Sequence, residues 1–206
     1  MGVELIFKYF TNLSMLQKQS FEAMFDVYKH WNAKINLISR KDIDNLYMNH
    51  VLPCLSIAKV LNFSYSDRVI DIGTGGGFPG IPLAIMFPDV NFHLIDSIGK
   101  KIDVTKQIAK ELMLSNVTTE VGRAENIRGH YSFVTGRAVC NLQLFYSLTR
   151  HLLKPGNING GMLYLKGGDG KIELAEADIK FQAYELNDLF AEEGNLFFGK
   201  VLYWVK

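Results

Sequence analysis

Residues 73–80 read Gly-Thr-Gly-Gly-Gly-Phe-Pro-Gly, and no other stretch constrains the fold of this chain as tightly. The run follows a β-branched segment, Arg68-Val69-Ile70-Asp71-Ile72, and leads into the helix-like residues 81–87. A strand that turns through glycines into a helix leaves few Cβ atoms at the turn. A ligand can then lie against main-chain N–H groups beside a helix N-terminus. Gly75, Gly77 and Gly80 also satisfy the spacing G-x-G-x-x-G of dinucleotide enzymes, so the glycines alone leave the ligand open. A Walker-type phosphate loop is excluded because no Lys-Ser/Thr pair follows at the required spacing, and no G-x-S-x-G elbow occurs.

Three acidic positions narrow the choice. Asp71 stands inside an otherwise apolar strand, where a carboxylate is costly unless it has partners. Dinucleotide enzymes usually carry an apolar residue there, whereas methyltransferases use an acid to hold the loop. Asp96 ends the next strand, residues 91–95, about twenty residues on, and suits the two hydroxyls of a ribose without a 2′-phosphate. This disfavours NADP but not NAD. Gly122-Arg123-Ala124-Glu125 follows the third strand, where an N–H and an acceptor could read an adenine edge. Together the three favour S-adenosylmethionine over NAD.

Strands expected at 68–72, 91–95, 117–121, 131–135 and 161–165 alternate with helical stretches at 81–87, 100–113 and 141–153, the pattern of a parallel sheet with crossover helices. A short helix near 172–177 and strand-like runs at 180–184 and 196–204 suggest an antiparallel hairpin at one sheet edge. Upstream, residues 13–31 and 43–61 have helical rhythm, the second interrupted near Pro53. The reading is one α/β domain over residues 1–206, a class I methyltransferase fold: a helical cap (1–62) and a Rossmann-like cofactor-binding core (63–206).

The 48% apolar content fits a globular chain, no apolar run is long enough to span a bilayer, and the N-terminus lacks a signal-peptide pattern, so a cytoplasmic protein is expected; a monomer is the expected state. Cys54 and Cys140 lie far apart without CxxC spacing, which points to two reduced, packed thiols. His30, His93, His130 and His151 show no metal spacing, and no metal site is expected. The net charge is only +1, but residues 1–154 hold 17 Lys/Arg against 13 Asp/Glu and residues 155–206 hold 5 against 8, so a weak basic bias accompanies the glycine loop.

Several motifs in fixed order carry a family resemblance: Trp31-Asn32, Ile35-Asn36-Leu37-Ile38-Ser39, Asn49-His50-Val51-Leu52, and Asp71 through Leu83 with its Gly-Phe-Pro-Gly-Ile-Pro-Leu ending. Leu94-Ile95-Asp96-Ser97-Ile98-Gly99-Lys100-Lys101, Arg123-Ala124-Glu125, Gly136-Arg137-Ala138-Val139 and Leu165-Lys166-Gly167-Gly168 follow. Over roughly residues 20–170 the chain resembles the bacterial 16S ribosomal RNA guanine-N7 methyltransferase family, also known as glucose-inhibited division protein B. The resemblance implies methylation of one guanine in 16S ribosomal RNA or the small ribosomal subunit. It places cofactor contacts on Gly73, Phe78, Ala124, Glu125 and Arg137; with Gly75 of the glycine loop and Asp96 on the ribose, these are the candidate cofactor-binding residues. A class I methyltransferase acting on a small molecule or protein is the alternative, since fold alone does not name a substrate. The chain departs from the family at Pro53-Cys54, where Asp-Ser is common, and at Gly136, where Ser is common.

Methylation at N7 needs no catalytic base, because that nitrogen has an exposed lone pair and no proton at neutral pH. No catalytic residue is therefore assigned, and His50 is given a structural or RNA-positioning role. Arg40, Lys41, Lys100, Lys101, Arg123, Arg137 and Lys166 are the candidates for RNA contact. Tyr28, Trp31 and Tyr47 could stack on bases, but their helical spacing points to packing between cap and sheet.

Overall fold

The computed structural model describes residues 2–168, 170–191 and 197–206. Helices α1 (Glu4–Tyr9) and α2 (Met15–Lys34), a 3-10 turn (Arg40–Asn45), a π turn (Leu46–Val51) and helix α3 (Leu52–Val60) precede the first strand. Ser14 and Gln17 start α2 with a reciprocal capping box. The Gln17 amide also donates to the carbonyls of Ile85 and Met86, at 3.1 and 2.8 Å. One side chain thus opens a cap helix and satisfies the end of a core helix, tying the two layers together. At the other end of α2, Asn32 is buried and its Oδ1 accepts from Leu37 and Ile38 N–H at 2.8 and 3.0 Å.

Pro53 does not interrupt a helix. The irregular 3-10 and π turns lie upstream of it, and Pro53 sits in the first turn of α3, where its missing N–H leaves no bond unmade.

The core strands are β1 (Arg68–Ile72), β2 (Asn91–Asp96), β3 (Val117–Val121), β4 (Phe133–Arg137), β5 (Gly161–Gly167), β6 (Phe181–Glu185) and β7 (Lys200–Val205). Helices α4 (Gly80–Met86), α5 (Gly99–Glu111), α6 (Leu142–Thr149), α7 (Gly170–Glu176) and α8 (Leu186–Leu189) run between them. The strands form a sheet ordered β3-β2-β1-β4-β5-β7-β6. Strands β1 to β5 pair in parallel, and β7 runs antiparallel between β5 and β6. The expected edge hairpin is therefore present, with β7 inserted next to β5. The strand expected from residue 196 begins at Lys200, and Leu196 lies outside the described residues. Tyr131 makes only an isolated bridge to Leu153, so β4 starts two residues later than expected. Helices α1 and α8 are too short for periodicity to reveal.

Each face of the sheet buries its own apolar layer. Val69, Phe92, Leu94 and Leu163 join Phe21, Met24, Tyr28, Val51 and Leu55 from the cap in one continuous cluster. Ile70, Val134, Met162 and Tyr164 face α6 and α7 in the other. Alternation along β1 puts Asp71 on the face of Val69, under the cap and α4. Tyr28 and Tyr47 are buried in this layer and Trp31 packs against it, which makes them core side chains.

Candidate active site

The order of the sheet reverses at β1 and β4, and ligands of such sheets sit beyond the carboxyl ends of the strands at that point. The glycine run leaves β1 here, Asp96 ends β2, Gly122 follows β3, Arg137 ends β4 and Lys166-Gly167 end β5. Gly73, Gly75 and Gly77 adopt φ of +69°, +58° and +92°, a region that L side chains rarely enter. A Cβ on Gly77 would also lie 2.5 Å from Ile81 Cγ1. The Phe78–Pro79 peptide is cis.

Asp71 is fully buried beneath this loop. Its Oδ2 accepts from the Thr74 hydroxyl at 2.6 Å and from Gly80 N–H at 3.0 Å, and its Oδ1 from the Thr135 hydroxyl at 3.2 Å. The carboxylate therefore staples both ends of the loop and links β1 to β4. Burial pushes its pKa up to about 6, against the lowering effect of those hydrogen bonds. From the cap, the buried Tyr28 hydroxyl donates to Gly76 C=O at 2.8 Å.

Two cavities flank the loop, and their linings share no residue. The first, about 330 Å³, is lined by Gly73, Asp96, Ile98, Lys101, Arg123, Ala124 and Glu125 among others. Asp96 is 8% exposed, and its oxygens accept from Gly75 N–H and Ile98 N–H, both at 2.9 Å. Each oxygen keeps a further lone pair for a ribose hydroxyl. The lining fits an adenosine: bare backbone at Gly73, a carboxylate at the end of β2, and the apolar Ile98 and Ala124 as walls. The charges of Asp96 and Glu125 offset those of Lys101 and Arg123, which leaves no cluster of bases for a pyrophosphate.

The second cavity, about 370 Å³, lies between the cap and the ends of β4, β5 and β7. Asp42, Asn49, His50 and Pro53 line it from the cap, and Arg137, Ala138, Lys166, Leu186 and Lys200 from the core. Arg137 lies over the Phe78 ring, 5.2 Å from its centroid, with Phe78 itself buried against Tyr28 and His50. Lys166 is ion-paired with Glu173, and Lys200 is half-buried with its pKa lowered by burial and by Arg137. Between the cavities the chain turns sharply after β4, with Ala138 at φ +53° and Val139 packed so closely on Gly73 that a Cβ there would lie 2.8 Å from Val139 Cγ2. Tyr164 OH holds this turn through Val139 N, Cys140 N and Cys140 C=O.

The candidate cofactor residues thus divide. Gly73, Asp96, Ala124 and Glu125 line the first cavity and Gly75 is bonded to Asp96, whereas Arg137 lines the second with Phe78 beneath it. Of the RNA candidates, Lys101 and Arg123 border the first cavity and Lys166 the second. Arg40, Lys41 and Lys100 are exposed, Arg40 and Lys41 on the turn that carries Asp42.

Sequence reading did not single out Asp42, Lys200 or Glu173. Lys200 reaches the site because β7 runs antiparallel to β5, which places its first residue opposite Gly167 at the carboxyl edge. Of the two departures, Cys54 is a buried free thiol, pushed up to about 12 chiefly by burial, and bonded to His50 C=O. At Gly136 the space a side chain would take is filled by Phe145, whose Cζ would lie 2.5 Å from a Cβ. Among the described residues no group of three or more His, Cys, Asp or Glu side chains is placed to hold a metal. No helix among them is long and apolar enough to cross a membrane.

Strand order, glycine loop and acidic strand ends define a class I S-adenosylmethionine-dependent methyltransferase. The fold resembles a SAM-dependent methyltransferase from Aquifex aeolicus (TM-score 0.56, 15% identity, 78% of this chain and 92% of that one). It also resembles fibrillarin from Aeropyrum pernix in complex with S-adenosyl-L-methionine (TM-score 0.53, 9% identity, 77% and 75%). A profile of the GidB family, rRNA small subunit methyltransferase G, matches residues 17–195, and the chain belongs to that family. Ribosomal RNA small subunit methyltransferase G of Phocaeicola vulgatus is 48% identical over 194 residues, 93% of both chains. The same-named protein of Porphyromonas gingivalis is 48% identical over 196 residues, 93% of this chain and 89% of that one.

Proposed function

We propose that the protein transfers a methyl group from S-adenosyl-L-methionine to N7 of a specific guanine in 16S ribosomal RNA, acting on naked RNA or the small subunit. The observation that carries this reading is the 48% identity to rRNA small subunit methyltransferases along nearly the whole of both chains. The two cavities beside one glycine loop support it: one shaped for adenosine, one open to a second, planar group. We read residues 1–206 as one methyltransferase domain because cap and core share an apolar layer, and we propose that it works as a cytoplasmic monomer.

Bound S-adenosylmethionine supplies an electrophilic methyl group on a sulfonium. Asp96 would hold the ribose hydroxyls, Ile98 and Ala124 would wall the adenine with Glu125 as an acceptor for it, and Gly73 and Gly75 would let the backbone approach the cofactor closely. Phe78 and Arg137 would hold the end of the cofactor nearest the second cavity, and that cavity would receive the guanine. The protein needs only to align N7 and exclude water, since N7 has no proton to lose. The methylated base is cationic, and the cavity tolerates this better than its residue count implies. Glu173 neutralises Lys166, Asp42 adds a carboxylate, and burial beside Arg137 favours neutral His50. Arg40, Lys41, Lys100, Lys101 and Arg123 supply the positive rim for RNA phosphates.

Mapping N7-methylguanine in ribosomal RNA from cells with and without the gene tests the reading. A guanine that loses its mark supports it. Identical maps, with the purified protein still binding S-adenosylhomocysteine, would direct attention to a small-molecule or protein acceptor.

A further inference from the structure

One histidine connects the cap to the end of β4. His50 Nε2 lies 2.5 Å from Asp42 Oδ2, and His50 Nδ1 lies 2.7 Å from Arg137 Nη2. A guanidinium has only N–H donors to offer, so Nδ1 must be the acceptor and the ring proton sits on Nε2, donated to Asp42. The second oxygen of Asp42 accepts from the Asn49 amide at 2.6 Å, which holds the carboxylate in place. Arg137 Nη1 also donates to His50 C=O at 3.3 Å, and its guanidinium lies on Phe78. The arginine is thus bound twice by one residue and backed by an aromatic ring, at the wall of the second cavity.

We infer that Asp42 and His50 are positioning residues for methyl transfer, a relay from the cap that fixes the Arg137 guanidinium at the wall of the acceptor cavity. The inference rests on the proposed reaction. Asp42 acts by selecting the imidazole tautomer. Without its acceptor, the proton can move to Nδ1, where an N–H would face the N–H groups of Arg137 and drive the guanidinium away. Asp42 belongs to the same 3-10 turn as the exposed Arg40 and Lys41, so RNA that grips this turn bears on the relay directly.

The test compares wild type with Asp42→Ala, which deletes the acceptor, and Asp42→Asn, which keeps one. Methylation of unmarked small subunits is measured at saturating cofactor, and the imidazole nitrogens are followed by ¹⁵N NMR in the protein without cofactor. The expected result is a fall in kcat of roughly ten-fold or more for Asp42→Ala and recovery of most of it in Asp42→Asn. In parallel, His50 is protonated on Nε2 in wild type and Asp42→Asn, and loses that preference in Asp42→Ala. If Asp42→Ala fails to fold, Asp42→Ser, too short to reach the ring, takes its place. Wild-type kcat in the acceptor-less variant, or an unchanged His50 tautomer, overturns the relay; so does equal damage from Asn and Ala. Should wild type bind cofactor yet methylate no ribosomal RNA, the functional reading fails, and the ¹⁵N spectra alone still decide the relay.

Discussion

The phenol of Tyr28, on the longest cap helix, donates a 2.8 Å hydrogen bond to the carbonyl of Gly76 in the middle of the glycine loop. Burial holds this phenol in its protonated form, far above the usual tyrosine range, so the donor is present at any working pH. Tyr28→Phe keeps the ring on Phe78 but strands a buried carbonyl. A loss of about 1–2 kcal/mol in urea unfolding is expected. S-adenosylhomocysteine should bind more weakly as well, because the loop loses its tie to the cap; calorimetry of the variant checks this.

Asp71 makes stability depend on pH in an unusual direction for an acid. Its folded pKa of about 6 lies above the ordinary 3.8, so the native state holds the proton more tightly than the unfolded chain. The associated stability is fully present below about pH 3.8 and is lost as pH rises through about 6. Asp71→Asn can preserve the staple: its oxygen accepts from Thr74 and Gly80, and its amide donates to Thr135, whose hydroxyl turns to Ile70 C=O. Between pH 4 and 7 the variant should gain about 2–3 kcal/mol on wild type in denaturant titrations. Parallel pH curves for the two proteins would show that the carboxyl group does not titrate in this window.

Gly136 and Phe145 form a matched pair. Gly136→Ser, the commoner family residue, forces a Cβ against the Phe145 ring and should destabilise by about 1–3 kcal/mol. Phe145→Leu alone removes packing on Tyr164, whose ring centroid lies 4.5 Å away, and should also destabilise. The double variant should be more stable than the sum of the two losses predicts, and a thermal-unfolding cycle measures that coupling.

Asp96→Ala should weaken S-adenosylhomocysteine binding by about ten-fold or more, reflecting lost hydrogen bonds to the ribose. The structure adds a cost of about 1–2 kcal/mol, since the N–H groups of Gly75 and Ile98 lose their acceptor. Unchanged affinity in calorimetry would remove the ribose role from this residue.

The parts of the site that could be read from sequence are those built by neighbours along the chain. A strand, five glycines and a helix announce themselves by composition, and Asp71 and Asp96 stand out as acids at strand positions. Asp42, Lys200 and Glu173 carry no local signal, because each reaches the site through tertiary placement. Asp42 arrives on an irregular turn with no periodicity, Lys200 by the antiparallel register of β7, and Glu173 through its bond to Lys166. Pro53 misled for a related reason: proline breaks a helix interior but suits a first turn, and only the structure tells which turn it occupies. Gly136 reads as a lost hydroxyl in one dimension and as a filled space in three.

The partition of the site by Gly73 and Val139 bears on traffic as well as on shape. The two chambers have no lining residue in common, so a ligand held in one leaves the walls of the other uncovered. On the proposed assignment of cofactor and RNA, S-adenosylhomocysteine should compete with fresh donor, and product-inhibition kinetics with RNA as the varied substrate measure how independently the two chambers fill.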